Sequence, residues 1–579
     1  MRRGFAVLIA ALACAIATSV ALPASASAHN GVQFGIEQFG NLENPQYTDE
    51  FQRIMSDNGA KVERYIVRWD WVARGCNPAT RGNAADMNNP CYSWGYLDEI
   101  VRKAQTHDLQ MLFSIYGTPG WVFDSKENYV GTTDAQYAQF VAAYADFAQA
   151  VATRYDGRHG QPRVPQITIW NEPNGSFFQP RWVDGVTVGP TRYARLYDAA
   201  ARRIKAVDPT LRVGVGPTAP HATALPPMTF AQGVLTELDR LGSPIDAWAH
   251  NAYTGSQSPF RNTVKPPYVS LGNIDDLTAL MDRYSVAKGK PIWVTEFGYQ
   301  TSGGQKAIEV SEQPDLLADA LYFAWTHPRI DTFIWYQLHD DTYTSKYDFM
   351  SGLYYEIGKV CGGTLCPKPG AAMYQRTVWA SPRNAKGLVT VWAQARVAPE
   401  KTRLFVQRPG DKWRAYVNSH TAKSGTVYSI MALPNGTKVM ACDTACGPQR
   451  VVGGSAVSGG GGVSATSSKI KRLRLVRLDK RLTMRRGISF NVNCTNCVVR
   501  ARLQARGAKS GFVAAKKRLV VVGTARISKS KSATRVRLRL TRAANREVAR
   551  RRSVIMTLRM FVTYSNGRKQ VYDRFVVLR

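Results

Sequence analysis

The chain has 579 residues, 44% of them apolar and 10% aromatic, a composition that excludes a low-complexity or disordered polymer and calls for two or more folded domains. Its 76 Lys and Arg against 42 Asp and Glu give a formal net charge of +34. From Lys469 onward 32 basic residues meet only three acidic ones, so +29 of that excess belongs to the C-terminal stretch and little to the rest.

The chain opens with Arg2 and Arg3, an apolar run from Phe5 to Leu22, and Ala26-Ser27-Ala28. This is the layout of a secretory signal, so residues 1–28 are expected to be removed and the mature chain to begin at His29. An uncleaved membrane anchor is the competing reading. No later stretch is long and apolar enough to span a bilayer.

Residues 29–383 alternate short apolar runs with helical patterns. Strands are expected at Val32–Ile36, Val62–Val67, Gln110–Ile115, Gln166–Trp170, Arg212–Gly216, Ile245–His250, Pro291–Thr295 and Thr332–Tyr336. Helical periodicity marks Leu97–Thr106, Tyr137–Arg154, Tyr193–Ala206, Phe230–Arg240, Asp275–Tyr284 and Leu316–Trp325. Eight such strands in some 350 residues predict a closed (β/α)8 TIM barrel, fold class α/β. An open doubly wound sheet would announce itself with a Gly-rich phosphate turn after its first strand, and none is present.

Helical periodicity then fades. Residues 384–452 carry strand-like runs and turn signals such as Pro434-Asn435-Gly436, which predict a small β module. Residues 453–468, with four consecutive glycines, read as a flexible linker. Residues 469–579 alternate again, as in Arg535–Leu540, and predict a basic β-sandwich.

Cys14 belongs to the signal, and the other eight cysteines fall into local couples: Cys76/Cys91, Cys361/Cys366, Cys442/Cys446 and Cys494/Cys497. Even numbers in local pairs suit disulfides formed in an oxidising compartment. Cys494 and Cys497 have C-x-x-C spacing, but no second such pair or His cluster accompanies them, so a disulfide is expected there rather than a metal or redox site. No metal and no cofactor is expected.

Barrels of this kind put catalytic groups at the C-terminal ends of their strands. The fourth strand runs into Trp170-Asn171-Glu172-Pro173 and the seventh into Thr295-Glu296-Phe297-Gly298. Cleaving a glycosidic bond needs two such carboxyls, one protonated to assist the leaving oxygen and one ionised to attack the anomeric carbon. These two motifs resemble the clan of (β/α)8 retaining glycoside hydrolases that includes the family 5 cellulases and the family 39 enzymes, over about Val32 to Ala380. The resemblance implies that Glu172 is the acid/base and Glu296 the nucleophile, with their carboxyls about 5–5.5 Å apart. It implies that Asn171 binds the sugar 2-hydroxyl and that Arg64 lies beneath the nucleophile, Arg68 being the alternative. The clan's strand-six His-x-Tyr falls on Tyr253, with Asn251 where the His belongs and His250 one residue early; a β-bulge would be needed to bring His250 into use. Trp121 and Trp335 are the expected sugar-stacking aromatics. Asp340 and Asp341 follow strand eight as solvated loop acids or sugar ligands.

The expected activity is therefore secreted, retaining hydrolysis of a poly- or oligosaccharide. A non-catalytic carbohydrate- or wall-binding protein on the same scaffold is the alternative. For the basic C-terminal domain, export favours an anionic cell-wall polymer, lipid headgroup or acidic polysaccharide over nucleic acid, with a merely solubilising role as the rival.

Overall fold

The computed structural model describes residues 31–38, 45–77, 82–123, 128–222, 225–261, 263–303, 306–342, 348–361, 365–416 and 425–453, then 476–478, 488–493, 498–506, 519–528, 533–549, 554–563 and 569–578. The signal, most of the Gly-rich linker, and Cys494 with Cys497 lie outside the described residues. The contacts divide the chain into two compact units, Met1–Gly461 and Gly462–Arg579.

In the first unit eight parallel strands close a barrel. They are β1 (Gln33–Glu37), β2 (Val62–Arg68), β3 (Gln110–Tyr116), β4 (Gln166–Ile169), β5 (Arg212–Thr218), β6 (Ala247–Asn251), β7 (Ile292–Phe297) and β8 (Ile330–Tyr336), with β8 pairing back to β1. Each is followed by a helix: α1 (Pro45–Asp57), α2 (Gly95–Thr106), α3 (Asp134–Arg154), α4 (Gly189–Val207), α5 (Pro227–Leu241), α6 (Ile274–Met281), α7 (Gln313–Thr326) and α8 (Pro369–Gln375). The sequence patterns find every strand and six of these helices. They miss α1, whose opening Pro45-Gln-Tyr-Thr is polar, and the two-turn α8.

Side-chain parity organises the barrel. Val62, Leu112, Ala247, Ala249, Trp293 and Ile334 point inward and form a closed cluster of their own. Residues of the other parity, such as Tyr65, Phe113, Val294 and Trp335, join the helices in the larger outer core. The inner cluster is built around Trp293. A Cβ on Gly214 would stand 2.7 Å from its ring, so strand β5 needs glycine there.

The β module is not separate from the barrel. Its first strand, Arg376–Ala380, begins directly after α8 and inside the range expected for the barrel. It joins Leu388–Ala395 and Thr426–Ala432, while Arg403–Gln407 and Lys438–Cys442 form a second small sheet. Trp379 stacks on Tyr322 of α7 at 3.7 Å and donates to Asp319, to which Arg450 also pairs at 2.7 Å. Disulfides join Cys76–Cys91, Cys361–Cys366 and Cys442–Cys446.

In the second unit a five-stranded sheet and a two-stranded sheet carry the β pattern expected of residues 469–579. Among the described residues no helix is long and apolar enough to cross a membrane.

Candidate active site

The site is assembled where β1, β2, β4, β6 and β7 end, and it begins with Arg64. Its parity on β2 is inward, and its guanidinium is fully buried. Nε donates to Ser114 Oγ of β3 at 2.9 Å, and Ser114 Oγ is 2.7 Å from Thr168 Oγ1 of β4, so the base of the side chain is anchored from two strands. Nη1 reaches two carboxyls, Glu296 Oε1 and Glu37 Oε2, each at 2.7 Å. Nη2 donates to Asn171 Oδ1 at 2.7 Å. With its oxygen so committed, Asn171 offers a ligand its Nδ2. Arg68, the alternative, faces elsewhere: it forms a two-point pair with Asp70 and lies over Trp71 and Tyr116.

Glu296 is presented by a bulge. Along β7, Val294 and Glu296 stand opposite the consecutive residues His250 and Asn251, and Val294 and Phe297 stand opposite Phe333 and Trp335. Both neighbours thus record one extra residue in β7, at Thr295. It lets Thr295 and Glu296 both address the barrel mouth while Phe297 returns to the outer core. Glu296 Oε2 accepts from the Tyr253 hydroxyl at 2.9 Å, so each carboxyl oxygen accepts one bond, one of them from a buried cation. That is the bonding of a carboxylate.

Glu172 is held differently. Trp170 and Glu172 both adopt left-handed backbone (φ 71° and 46°), a conformation that costs a non-glycine residue about 1–3 kcal/mol unless its surroundings enforce it. The enforcement is visible. The Trp170 ring packs among Tyr116, Phe140, Tyr144 and Phe178, its Nε1 donates to the Phe177 carbonyl, and the Glu172 amide donates to the Pro217 carbonyl. Glu172 Oε1 accepts from Asn251 Nδ2 at 2.9 Å, and Asn251 Oδ1 accepts from Thr295 Oγ1 at 2.9 Å. Among the described residues no hydrogen bond engages Glu172 Oε2, which is the oxygen left to carry and deliver a proton. Burial first, and then the charge of Glu296, push the Glu172 carboxyl up to about 7; the Asn251 bond and Arg64 oppose this.

Several expected ligands lie elsewhere. His250 keeps the outward parity of Trp248, because the bulge falls on β7 and not on β6. Its ring is buried between Thr218 Oγ1 (2.8 Å) and the Val269 carbonyl (3.2 Å), and burial lowers it to about 4, so it is a neutral core residue. Asn251 stands at the mouth in its place. Trp335 is not a sugar platform. It alternates with the inward-facing Ile334, is fully buried against Phe297 and Tyr299, and donates to the Ser351 carbonyl. Tyr336, one residue on, is the strand-eight aromatic that faces Glu296 and Tyr253. Trp121 is half-buried, edge-on to Trp69, and donates to the Ala73 carbonyl, which makes it a brace between the β2 and β3 loops. Asp340 is no solvated acid: it is buried against Lys368, while Asp341 accepts from Gln337 and from the Phe349 amide.

Glu37 is the residue that the sequence reading overlooks. It ends β1, is 1% exposed, and is pushed up to about 8 by burial, against the pull of Arg64. Ser114, Thr168 and Thr295 also escape the sequence, since a lone hydroxyl in a strand carries no signal. Among the described residues no group of His, Cys, Asp and Glu is placed to hold a metal ion.

Residues 46–256 match the sequence profile of glycosyl hydrolases family 39. The match takes in Arg64, Asn171, Glu172, Asn251 and Tyr253 and stops before Glu296. Human α-L-iduronidase is 28% identical over 160 residues, 27% of this chain and 22% of that protein. A β-xylosidase of Geobacillus stearothermophilus is 26% identical over 226 residues, 36% of this chain and 41% of that one. The chain thus spans less than half the length of either curated relative. Among solved structures, a family 39 glycoside hydrolase from Bacteroides cellulosilyticus WH2 aligns over 72% of this chain and 81% of its own, with a TM-score of 0.46 and 15% identity.

Proposed function

We propose that the barrel unit is a retaining O-glycoside hydrolase of the family 39 type, with Glu296 as nucleophile and Glu172 as acid/base. The observation that carries this reading is the unequal bonding of the two glutamates around one buried arginine. Glu296 has a donor on each oxygen and a cation beside it; among the described residues Glu172 has one neutral donor and an uncommitted oxygen, and its pKa is raised. A carboxyl raised by burial, set across from one bonded to a buried arginine, gives such a reaction its acid/base and its nucleophile.

In the first step Glu296 attacks the anomeric carbon as Glu172 passes its proton to the departing glycosidic oxygen. A glycosyl ester on Glu296 and a Glu172 carboxylate result. Glu172 then takes a proton from water as that water attacks the ester, which releases the sugar with its configuration retained. Arg64 holds Glu296 in place beforehand, and Asn171 Nδ2 is available to a sugar hydroxyl.

The enzyme acts outside the cell. The signal-like residues 1–28 and the local disulfides support export. The basic C-terminal unit holds it near an anionic wall polymer or acidic polysaccharide. The similarity to a β-xylosidase makes aryl β-xylosides the first substrates to try, followed by a panel of aryl glycosides and polysaccharides. Hydrolysis by the wild type but not by Glu172→Gln or Glu296→Gln on unactivated substrates is expected. Sugar binding without turnover across the panel would replace this reading with that of a non-catalytic binding protein.

A further inference from the structure

Arg64 is shared by more carboxyls than its single charge can balance. Glu37 ends β1 in register with Arg64 of β2 and with Tyr336 of β8. It has the parity of Gly35, whose added Cβ would meet Ile334 of the inner cluster, so its side chain enters the barrel at the level of Arg64. Nη1 of Arg64 lies 2.7 Å from Glu37 Oε2 and 2.7 Å from Glu296 Oε1, and all three side chains are buried. Two ionised carboxyls on one cation would leave an excess negative charge in this enclosed space, where low dielectric makes it costly. One of the two therefore keeps a proton. A nucleophile attacks in its ionised form, so the catalytic reading leaves the proton to Glu37. The other titratable groups near Glu37 do not compete for this role. Tyr253 and Tyr336 are phenols that burial holds neutral, and Glu63, on the outer side of β2, is itself raised to about 8 by burial.

The balance changes when Glu296 becomes an ester. The ester carries no charge, so the repulsion that Glu296 exerts on Glu37 ends. Among the described residues the remaining side-chain partners of Arg64, Ser114 and Asn171, are neutral. A buried guanidinium without an anion is strongly unfavourable, and Glu37 is already in contact with it. We propose that Glu37 is a positioning residue that acts through Arg64: it holds a proton while Glu296 is free, releases it to water when Glu296 is esterified, and takes over the pairing with Nη1 until the ester is hydrolysed. This role rests on the double-displacement reading. In the first step the bond from the anomeric carbon to the leaving oxygen breaks, the bond from that carbon to Glu296 forms, and the Glu37 hydroxyl gives its proton to water. Hydrolysis of the ester returns a carboxylate to Glu296 and a proton from water to Glu37, so Glu37 gains and loses none over a cycle.

The test counts protons as the ester is trapped. Glu172 also responds to the charge of Glu296, so the measurement is made on full-length Glu172→Gln. The probe is a dinitrophenyl β-xyloside, followed by the other sugars of the aryl panel, with fluorine in place of the hydroxyl beside the anomeric carbon. Its leaving group needs no protonation, and the fluorine slows hydrolysis of the ester. Dinitrophenolate release and the mass of the Glu296 peptide report the ester, and an indicator dye in dilute buffer reports the proton. Near pH 7, below the value of about 8 to which burial pushes Glu37, about one proton per ester is expected, and the release should fade as the pH is raised past that value. Glu37→Gln in the same background should form the ester and release none, while Glu63→Gln in that background should release as much as the parent. No proton from the parent, which keeps Glu37, would overturn the proposal whether or not the Glu37 variant folds, and so would equal release from the Glu37→Gln protein. An ester formed without a proton sinks this proposal alone; no ester with any sugar of the panel sinks the catalytic reading and this proposal with it.

Discussion

Asn251 ties the acid/base to the nucleophile's strand, and its bond to Glu172 Oε1 favours the ionised form of that carboxyl. Asn251→Ala should therefore move the alkaline limb of the kcat/KM profile from near pH 7 to higher pH while lowering its height; a limb that stays put or moves down would contradict the assignment. A second buried carboxyl affects stability alone. Glu63 points outward from β2 and accepts from Gln52 at 2.7 Å, and among the described residues its Oε1 and Gln52 Oε1 have no hydrogen-bond partner. Burial raises it from 4.5 to about 8. Below pH 4.5 it is protonated whether the chain is folded or not. Between the two values the folded state keeps a proton that the unfolded chain releases, so stability falls as pH rises, by at most about 1.4 kcal/mol per pH unit from this group. Glu63→Gln removes that slope. The melting temperature of the variant should decline less between pH 5 and pH 8 than that of the wild type, with the two nearest at the acid end.

At the scale of elements, the strands and both catalytic candidates were legible because a buried parallel strand is a short apolar run and a carboxyl at its end is conspicuous. The facing of individual side chains was not. Trp335 was expected at the mouth, yet period-two alternation with Ile334 commits it to the outer core. His250 follows the same rule. The bulge at Thr295 was invisible, since one extra residue in a strand leaves no mark in composition. Trp335→Phe therefore tests packing against platform. It should lower the melting temperature by several degrees and leave KM for a small substrate unchanged, because the side chain is fully buried in the outer core against Phe297 and Tyr299. A KM raised tenfold with unaltered stability would restore the platform role.

For the molecule as a whole, the charge map and the Gly-rich stretch marked the basic unit in the sequence, and the contacts divide the chain nearby, at Gly461. The junction between barrel and β module was less legible, because Arg376–Ala380 continues from α8 without a turn signal. A chain ending at Gly461 should keep its turnover on a small soluble glycoside and lose retention on an acidic polysaccharide. A chain ending at Ala380 should fail to fold, since it strips Trp392 and Arg450 from α7 and leaves Asp319 without its buried cation. Equal turnover from both truncated chains would mean that the module is dispensable to the barrel.

The assignment of the two glutamates is tested most directly by azide rescue on an activated aryl glycoside, with the configuration of the product read by NMR. Glu296→Ala should be nearly inactive alone and, with azide, should yield a glycosyl azide of inverted configuration, because azide attacks from the side the nucleophile has vacated. Glu172→Ala should still form the Glu296 ester and, with azide, should yield a glycosyl azide of retained configuration. Retained product from the Glu296 variant and inverted product from the Glu172 variant would reverse the two roles and contradict the account.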